Sequence, residues 1–171
     1  MGEDVARSCG SCTACCKVLR IDAPELQKPA GVWCPNCLPG KGCGIYDNRP
    51  AAICHDYKCL WLASQILPET ARPEQLKVMF SMEPNPLPER PGKVCAVARS
   101  LGGVDIFERP AVIAAIAAII RAGIDVHLSW GETKTLVVAH FGVGGRLKAL
   151  DLPADGGRTR RRKLLAGPGP L

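Results

Sequence analysis

The sequence predicts an α+β chain in two parts of unlike construction, and two observations carry that reading. Nine of its ten cysteines lie between Cys9 and Cys59. Beyond residue 64 only Cys95 remains, and apolar residues begin to recur with the periods of strands and of a helix. The chain therefore divides into a cysteine-rich lobe over residues 1–64, an α+β half over residues 65–150 packed on it, and a flexible basic tail over residues 151–171.

Each element of the second half has a local reason. LKVMFSM at 76–82 alternates Leu76, Val78, Phe80 and Met82 with other residues, as a half-buried strand does. The proline-rich EPNPLPERPG separates it from a second strand, KVCAVAR at 93–99, which makes a hairpin with a long loop. Residues 110–122 read as a helix. Pro110 suits the first turn, Arg121 the last, and Gly123 the stop. Val112, Ile113, Ile116, Ile119 and Ile120 share one face of it. IDVHLSW at 124–130 and TKTLVVAHF at 133–141 read as a second, tight hairpin, with His127 on its polar face. The order β-β-α-β-β predicts a small antiparallel four-stranded sheet with one packed helix. Aromatics are only 5% of the chain, so the core has to be built from aliphatic side chains.

Composition narrows the function classes. A chain of 171 residues can bury a core of its own, so the cysteines are not needed merely as staples for a small domain. The hydrophobic content of 47% argues against global disorder. MGEDVARSCG has no apolar segment of the signal-peptide kind, and the run AVIAAIAAII at 111–120 is shorter than the roughly 20 residues that span a bilayer. The expectation is a soluble, cytoplasmic protein with no membrane partner. In a reducing compartment clustered cysteines point to metal or redox chemistry, not to a disulfide framework. Half of the net charge of +6 falls in the tail, where Arg158, Arg160, Arg161, Arg162 and Lys163 outnumber Asp151 and Asp155. GGRTRRRK followed by GPGP reads as flexible, and its charge is a weak pointer to a nucleic-acid partner. No Ser-His-Asp order, phosphate-binding loop or HExxH is present.

The cysteines carry the chemistry. A CxxC turn brings two thiolates to one side of the chain, where each can sit about 2.3 Å from a zinc ion. C-x2-C-x2-C is also ferredoxin spacing, so spacing alone does not choose between zinc and an iron–sulfur cluster. Cys15 and Cys16 are adjacent, and adjacent side chains diverge most where the chain is extended. The pair therefore points to two metals, or to two atoms of one cluster. Two zinc sites of four thiolates each would carry about −4, and Lys17, Arg20, Lys41, Arg49 and Lys58 are interleaved to offset it. Cys37 completes a CxxC with Cys34 and is an optional ninth ligand. His55 is the best-placed histidine, although the thiols suffice without it. Cys95, alone in a strand, reads as a buried structural thiol. Trp33, Tyr46, Tyr57 and Trp61 are expected to pack around the metal.

Cys9-x-x-Cys12-x-x-Cys15-Cys16, then Trp33-Cys34, GCGIYDNRPAAIC at 42–54 and YKCLWL at 57–62, resembles the CxxCxxCC family of YkgJ-type cysteine cluster proteins, described as zinc- or iron-chelating domains. The resemblance covers residues 9–62. It implies a metal-stabilised lobe with Cys9, Cys12, Cys15, Cys16, Cys34, Cys43, Cys54 and Cys59 as ligands, and it aligns Tyr46, Arg49 and Pro50 with the family's Y-x-x-R-P element. Relatives include flagellin lysine methylases, but this chain has no GxGxxG-type loop for S-adenosylmethionine. The functional expectation is a metal-binding protein holding zinc, iron or an iron–sulfur cluster, with the metal structural or handled for a partner. An iron–sulfur redox or methyl-transfer enzyme is the alternative, and a nucleic-acid-binding zinc protein comes third.

Overall fold

The computed structural model describes residues 7–85, 92–130, 136–141, 147–152 and 160–162, with side-chain burial given for 7–50, 53–85 and 92–130. It contains helices and sheets in an α+β arrangement. The cysteine-rich part is built from short pieces: α1 (Ala14–Val18), a hairpin of β1 (Ile21–Ala23) and β2 (Leu26–Lys28), and a second hairpin of β3 (Cys37–Leu38) and β4 (Gly42–Cys43). A 3-10 turn at Tyr46–Asn48, a π turn at Ala51–His55 and α2 (Leu60–Ala63) follow.

α3 (Pro73–Leu76) starts on a proline, whose missing N–H is not needed in a first turn. It stops at Lys77, which takes a left-handed conformation at φ 61° and donates its amide to the Pro73 carbonyl. The chain then enters β5 (Val78–Pro84), which pairs antiparallel with β6 (Val94–Ser100) in the expected hairpin, although Leu76, read as part of this strand, lies in α3 and Met82 is exposed. α4 (Pro110–Arg121) follows, then β7 (Asp125–Ser129), β8 (Leu136–Phe141), β9 (Leu147–Leu152) and β10 (Arg160–Arg162).

These strands form one sheet in the order β10-β9-β8-β7-β6-β5, not the antiparallel four-stranded sheet that the sequence predicts. The β6–β7 pair is parallel, with Ala96 opposite Val126 and Ala98 opposite Leu128. The connection explains the difference. α4 carries the chain back to the end of the sheet where β6 began, so β7 runs the same way as β6. The basic segment expected to be flexible supplies β10, which pairs with Ala149–Asp151. Backbone pairing at a sheet edge asks for no apolar pattern, so this strand has no mark in the residue pattern.

α4 covers one face of the sheet. Val112, Ile116 and Ile119 pack on Val78, Phe80, Ala96, Ala98, Val126 and Leu128, together with Phe107 and with Leu60 and Trp61 from α2. Each fully buried aliphatic side chain here contributes about 1.5–3 kcal/mol relative to exposure. The opposite face is also covered. Met79, Ser81, Cys95, Val97 and His127 are buried there, and α1 lays Ala14 and Val18 against Met79. Arg99 donates to Ser81 Oγ and Glu83 Oε1 on this face.

His127 was expected on a solvated face and is fully buried instead. Among the described residues neither ring nitrogen has a hydrogen-bond partner. Burial lowers its pKa from the ordinary 6.5, against upward pulls from Asp125 and Glu83. The unfolded chain therefore takes up this proton before the folded one as pH falls below about 6.5. The stability contribution is complete above that pH and is lost as pH falls through the folded pKa. Melting followed between about pH 7.5 and pH 5 should show a falling Tm, and His127→Leu should flatten the slope. Equal slopes in the two proteins would remove His127 as the cause.

Candidate metal centre

The first CxxC turn is closed by the Cys12 amide donating to the Cys9 carbonyl at 3.0 Å, and the second by the Cys37 amide donating to the Cys34 carbonyl at 3.0 Å. The first turn needs a left-handed residue, and Gly10 supplies it at φ +52°. β4 comes close to the first turn. A Cβ on Gly42, itself at φ +117°, would lie 3.4 Å from the Gly10 carbonyl oxygen. The Cys34 amide donates to the Cys16 carbonyl at 2.9 Å, which ties the middle segment to α1. Cys54 sits in the π turn, where the amides of Ile53, Cys54 and His55 all donate to the Pro50 carbonyl. Such wide turns recur at functional sites. Cys59 caps α2 from the residue before it.

These local structures bring eight cysteines to the wall of one cavity. Cys9, Cys12, Cys15, Cys16, Cys34, Cys43, Cys54 and Cys59 all line a single cavity of about 80 Å³, walled further by Leu19, Ile21, Leu26, Tyr57 and Met79. All ten cysteines are free of disulfides. Among the described residues, no three Cys, His, Asp or Glu side chains stand close enough together to hold a metal ion as they are placed. The sulfurs thus share a space without closing on a point. Coordination would draw each to about 2.3 Å from a metal.

The adjacent pair behaves differently from the expectation of divergence. Cys15 and Cys16 lie in α1, not in extended chain, and both face the cavity. A hydrogen bond from the Cys16 thiol lowers Cys15 to about 7, outweighing its burial, while the same contact and burial push Cys16 far up. Burial raises Cys9, Cys54 and Cys59, and raises Cys12 to about 12. Metal would have to displace protons from these thiols, so uptake is coupled to proton release.

Cys37 touches the eight from outside the cavity, packed with Cys34, Cys16 and Cys54. It is buried, pairs with Cys43 across the β3–β4 hairpin, and does not line the cavity. Burial raises its pKa, against hydrogen bonds from Cys16 and Thr13. His55 is exposed and bonds Asp56 at 2.9 Å, away from the cavity wall. Cys95 is fully buried beneath the sheet and raised to about 11, chiefly by burial. Of the interleaved cations, Arg49 lines the cavity, rests 3.7 Å over Tyr46 and works to lower Cys9, Cys15 and Cys54. Lys17 turns away to donate to the Leu101 carbonyl at 2.9 Å, and Arg20 is an exposed partner of Asp22. Trp61 is buried and Tyr57 lines the cavity, whereas Trp33 is 42% exposed.

Sequence reasoning missed three charged residues beside the thiols. Arg72 donates to the Cys9 carbonyl at 3.1 Å and pairs with Glu74. Burial works to raise Glu74, but hydrogen bonds from Arg72 and Cys12 outweigh it and lower its pKa. The third is Lys28, on the inward face of β2, where the alternation Leu26-Gln27-Lys28 was the available signal.

A second cavity of about 360 Å³ lies behind α1, with Leu19 in both walls and Lys17, Arg99 and Ser129 among its other residues. No helix among the described residues is long and apolar enough to cross a membrane. Compared with protein-family models, with curated proteins and with solved structures, the chain matches none.

Proposed function

We propose that the chain is a metal-binding protein whose eight cysteines Cys9, Cys12, Cys15, Cys16, Cys34, Cys43, Cys54 and Cys59 hold zinc or iron, the iron as an iron–sulfur cluster included. One observation carries the reading: the eight cysteines of the CxxCxxCC pattern line one cavity, while Cys37 and Cys95 do not. At about 80 Å³ that cavity is well below the roughly 300–1,000 Å³ of organic-ligand sites, and its donors are soft thiols. Eight thiols around one space suit a polynuclear centre better than two separated ions. The metal is structural or is handled for a partner.

The test is metal analysis with an absorption spectrum on untagged protein purified without oxygen. Colourless protein with about two zinc ions per chain supports a structural or zinc-handling role. Brown protein with iron and acid-labile sulfide supports a cluster. Cys15→Ser and Cys54→Ser should each lower the metal content, and Cys37→Ser and Cys95→Ser should not. Metal-free protein that takes up neither metal would overturn the proposal.

A second reading is an iron–sulfur redox or methyl-transfer enzyme. It draws on the cavity behind α1, whose volume of about 360 Å³ falls in the range of small-substrate sites.

A further inference from the structure

Lysines are almost never fully buried unless they are paired. Lys28 is 4% exposed. The β1–β2 hairpin puts it there, because Ile21 lies opposite Lys28 and Ala23 opposite Leu26, all four buried, while Asp22 and Gln27 are exposed. Among the described residues no carboxylate forms an ion pair with it. Its Nζ donates instead to three backbone carbonyls, those of Lys17 at 3.3 Å, Pro29 at 2.9 Å and Leu19. These neutral acceptors satisfy its hydrogens but supply no negative charge, and a buried ion without a counter-ion costs several kcal/mol.

Burial accordingly works to lower the Lys28 pKa. The groups that work to raise it are all cysteines, in the order Cys34, Cys16, Cys15 and Cys54. Each of the four lines the thiol cavity. Two of the anchoring carbonyls, those of Lys17 and Leu19, lie close after Cys16 in the chain, so the ammonium is fastened to the segment that presents the adjacent thiols.

We infer that Lys28 is the fixed counter-charge of the thiolate centre: an ammonium held behind Cys15, Cys16, Cys34 and Cys54 that offsets their negative charge when they bind metal. The inference rests on the metal-binding reading above. Lys28 is a positioning residue in this role. Its donors are spent on carbonyls, so it acts on the centre through its charge and not by ligation.

The size of two effects separates this role from simple anchoring. Loss of the ammonium leaves three carbonyls without their donor whether or not metal is bound, so some stability is lost in both states. Only in the metal-bound protein is its charge needed as well. The experiment titrates cobalt(II) against a competing chelator into the full chain and into Lys28→Arg, Lys28→Gln and Lys28→Met, and records the Tm of each metal-free protein. Lys28→Arg should bind cobalt within about threefold of the unsubstituted chain, and the two neutral variants should bind at least about tenfold more weakly, a loss out of proportion to their fall in metal-free Tm. Neutral variants that bind cobalt as tightly as the unsubstituted chain would overturn the inference. So would neutral variants that lose metal-free stability and cobalt affinity in parallel, or that fail to fold with or without cobalt, since either result makes Lys28 an anchor. Failure of the unsubstituted chain to bind cobalt would instead remove the metal-binding reading itself.

Discussion

On the metal-binding proposal, removing metal should unfold the cysteine lobe and leave the sheet standing. In hydrogen exchange, amides of residues 9–59 should exchange fast after chelation, while β5, β6, β7 and α4 stay protected. Apart from α1 against Met79 and the bonds of Lys17 to Leu101 and Arg72 to Cys9, the lobe has little else to hold it. Its longest helix has five residues, its strands have two or three, and its apolar cluster is Ile21, Ala23 and Leu26 with Cys34 and Cys37. Structural zinc in small domains supplies about 10–16 kcal/mol of apparent binding energy, and that energy is folding energy. The second half has a continuous core of its own around Phe80, Phe107, Ile116 and Leu128. Equal protection of the lobe with and without chelator would show that it holds itself together and that the metal is not structural.

Trp61→Ala should cost about 3–5 kcal/mol in urea unfolding and should weaken metal binding as well. The ring is 3% exposed and belongs to the main core, yet it sits two residues after Cys59. Its faces hold two guanidinium groups, Arg7 at 4.9 Å and Arg72 at 4.7 Å from the ring centre. Arg7 also donates to the carbonyls of Trp61, Ser64 and Leu67, and Arg72 donates to that of Cys9. Losing the ring therefore opens a core cavity and loosens both ends of the thiol set. Trp61→Phe keeps an aromatic face, and the Nε1 it removes is buried with no partner among the described residues, so its effect should be much smaller. A loss below about 1 kcal/mol in Trp61→Ala would show that the ring does not couple the two regions.

The parts of this structure that local physics controls were legible in the sequence. Pro110, Arg121 and the apolar spacing between them marked α4 at both ends. Alternation marked β5 and β7, the hairpin reading marked β6, and cysteine spacing marked the residues that line the cavity. What was not legible depends on what each element meets. Alternation separates Val126 and Leu128 from His127, but it does not say that the second face is covered too. The direction of β7 relative to β6 depends on how α4 crosses, which no strand pattern records. CPNC has ligand spacing, and Cys37 lies against Cys16 and Cys34 without lining the cavity, a placement that spacing does not specify. The alternation Leu26-Gln27-Lys28 could place Lys28 inward, but its partners are backbone carbonyls, which have no sequence signature.

The parallel β6–β7 pair also governs the order in which the sheet can assemble. β5 with β6, and β7 with β8 and β9, pair as chain neighbours, so each group can begin from contacts close in sequence. The seam between the groups cannot. Cys95 meets Asp125 and Ala98 meets Leu128 only after the intervening chain has closed a loop, and that entropy is lost before the contacts form. Long-range pairing of this kind is slow relative to hairpins. α4 spans that loop and packs on both strands of the seam, so its docking and the closing of the sheet are one kinetic event. The pace of folding is thus set at the middle of the sheet and not at its edges.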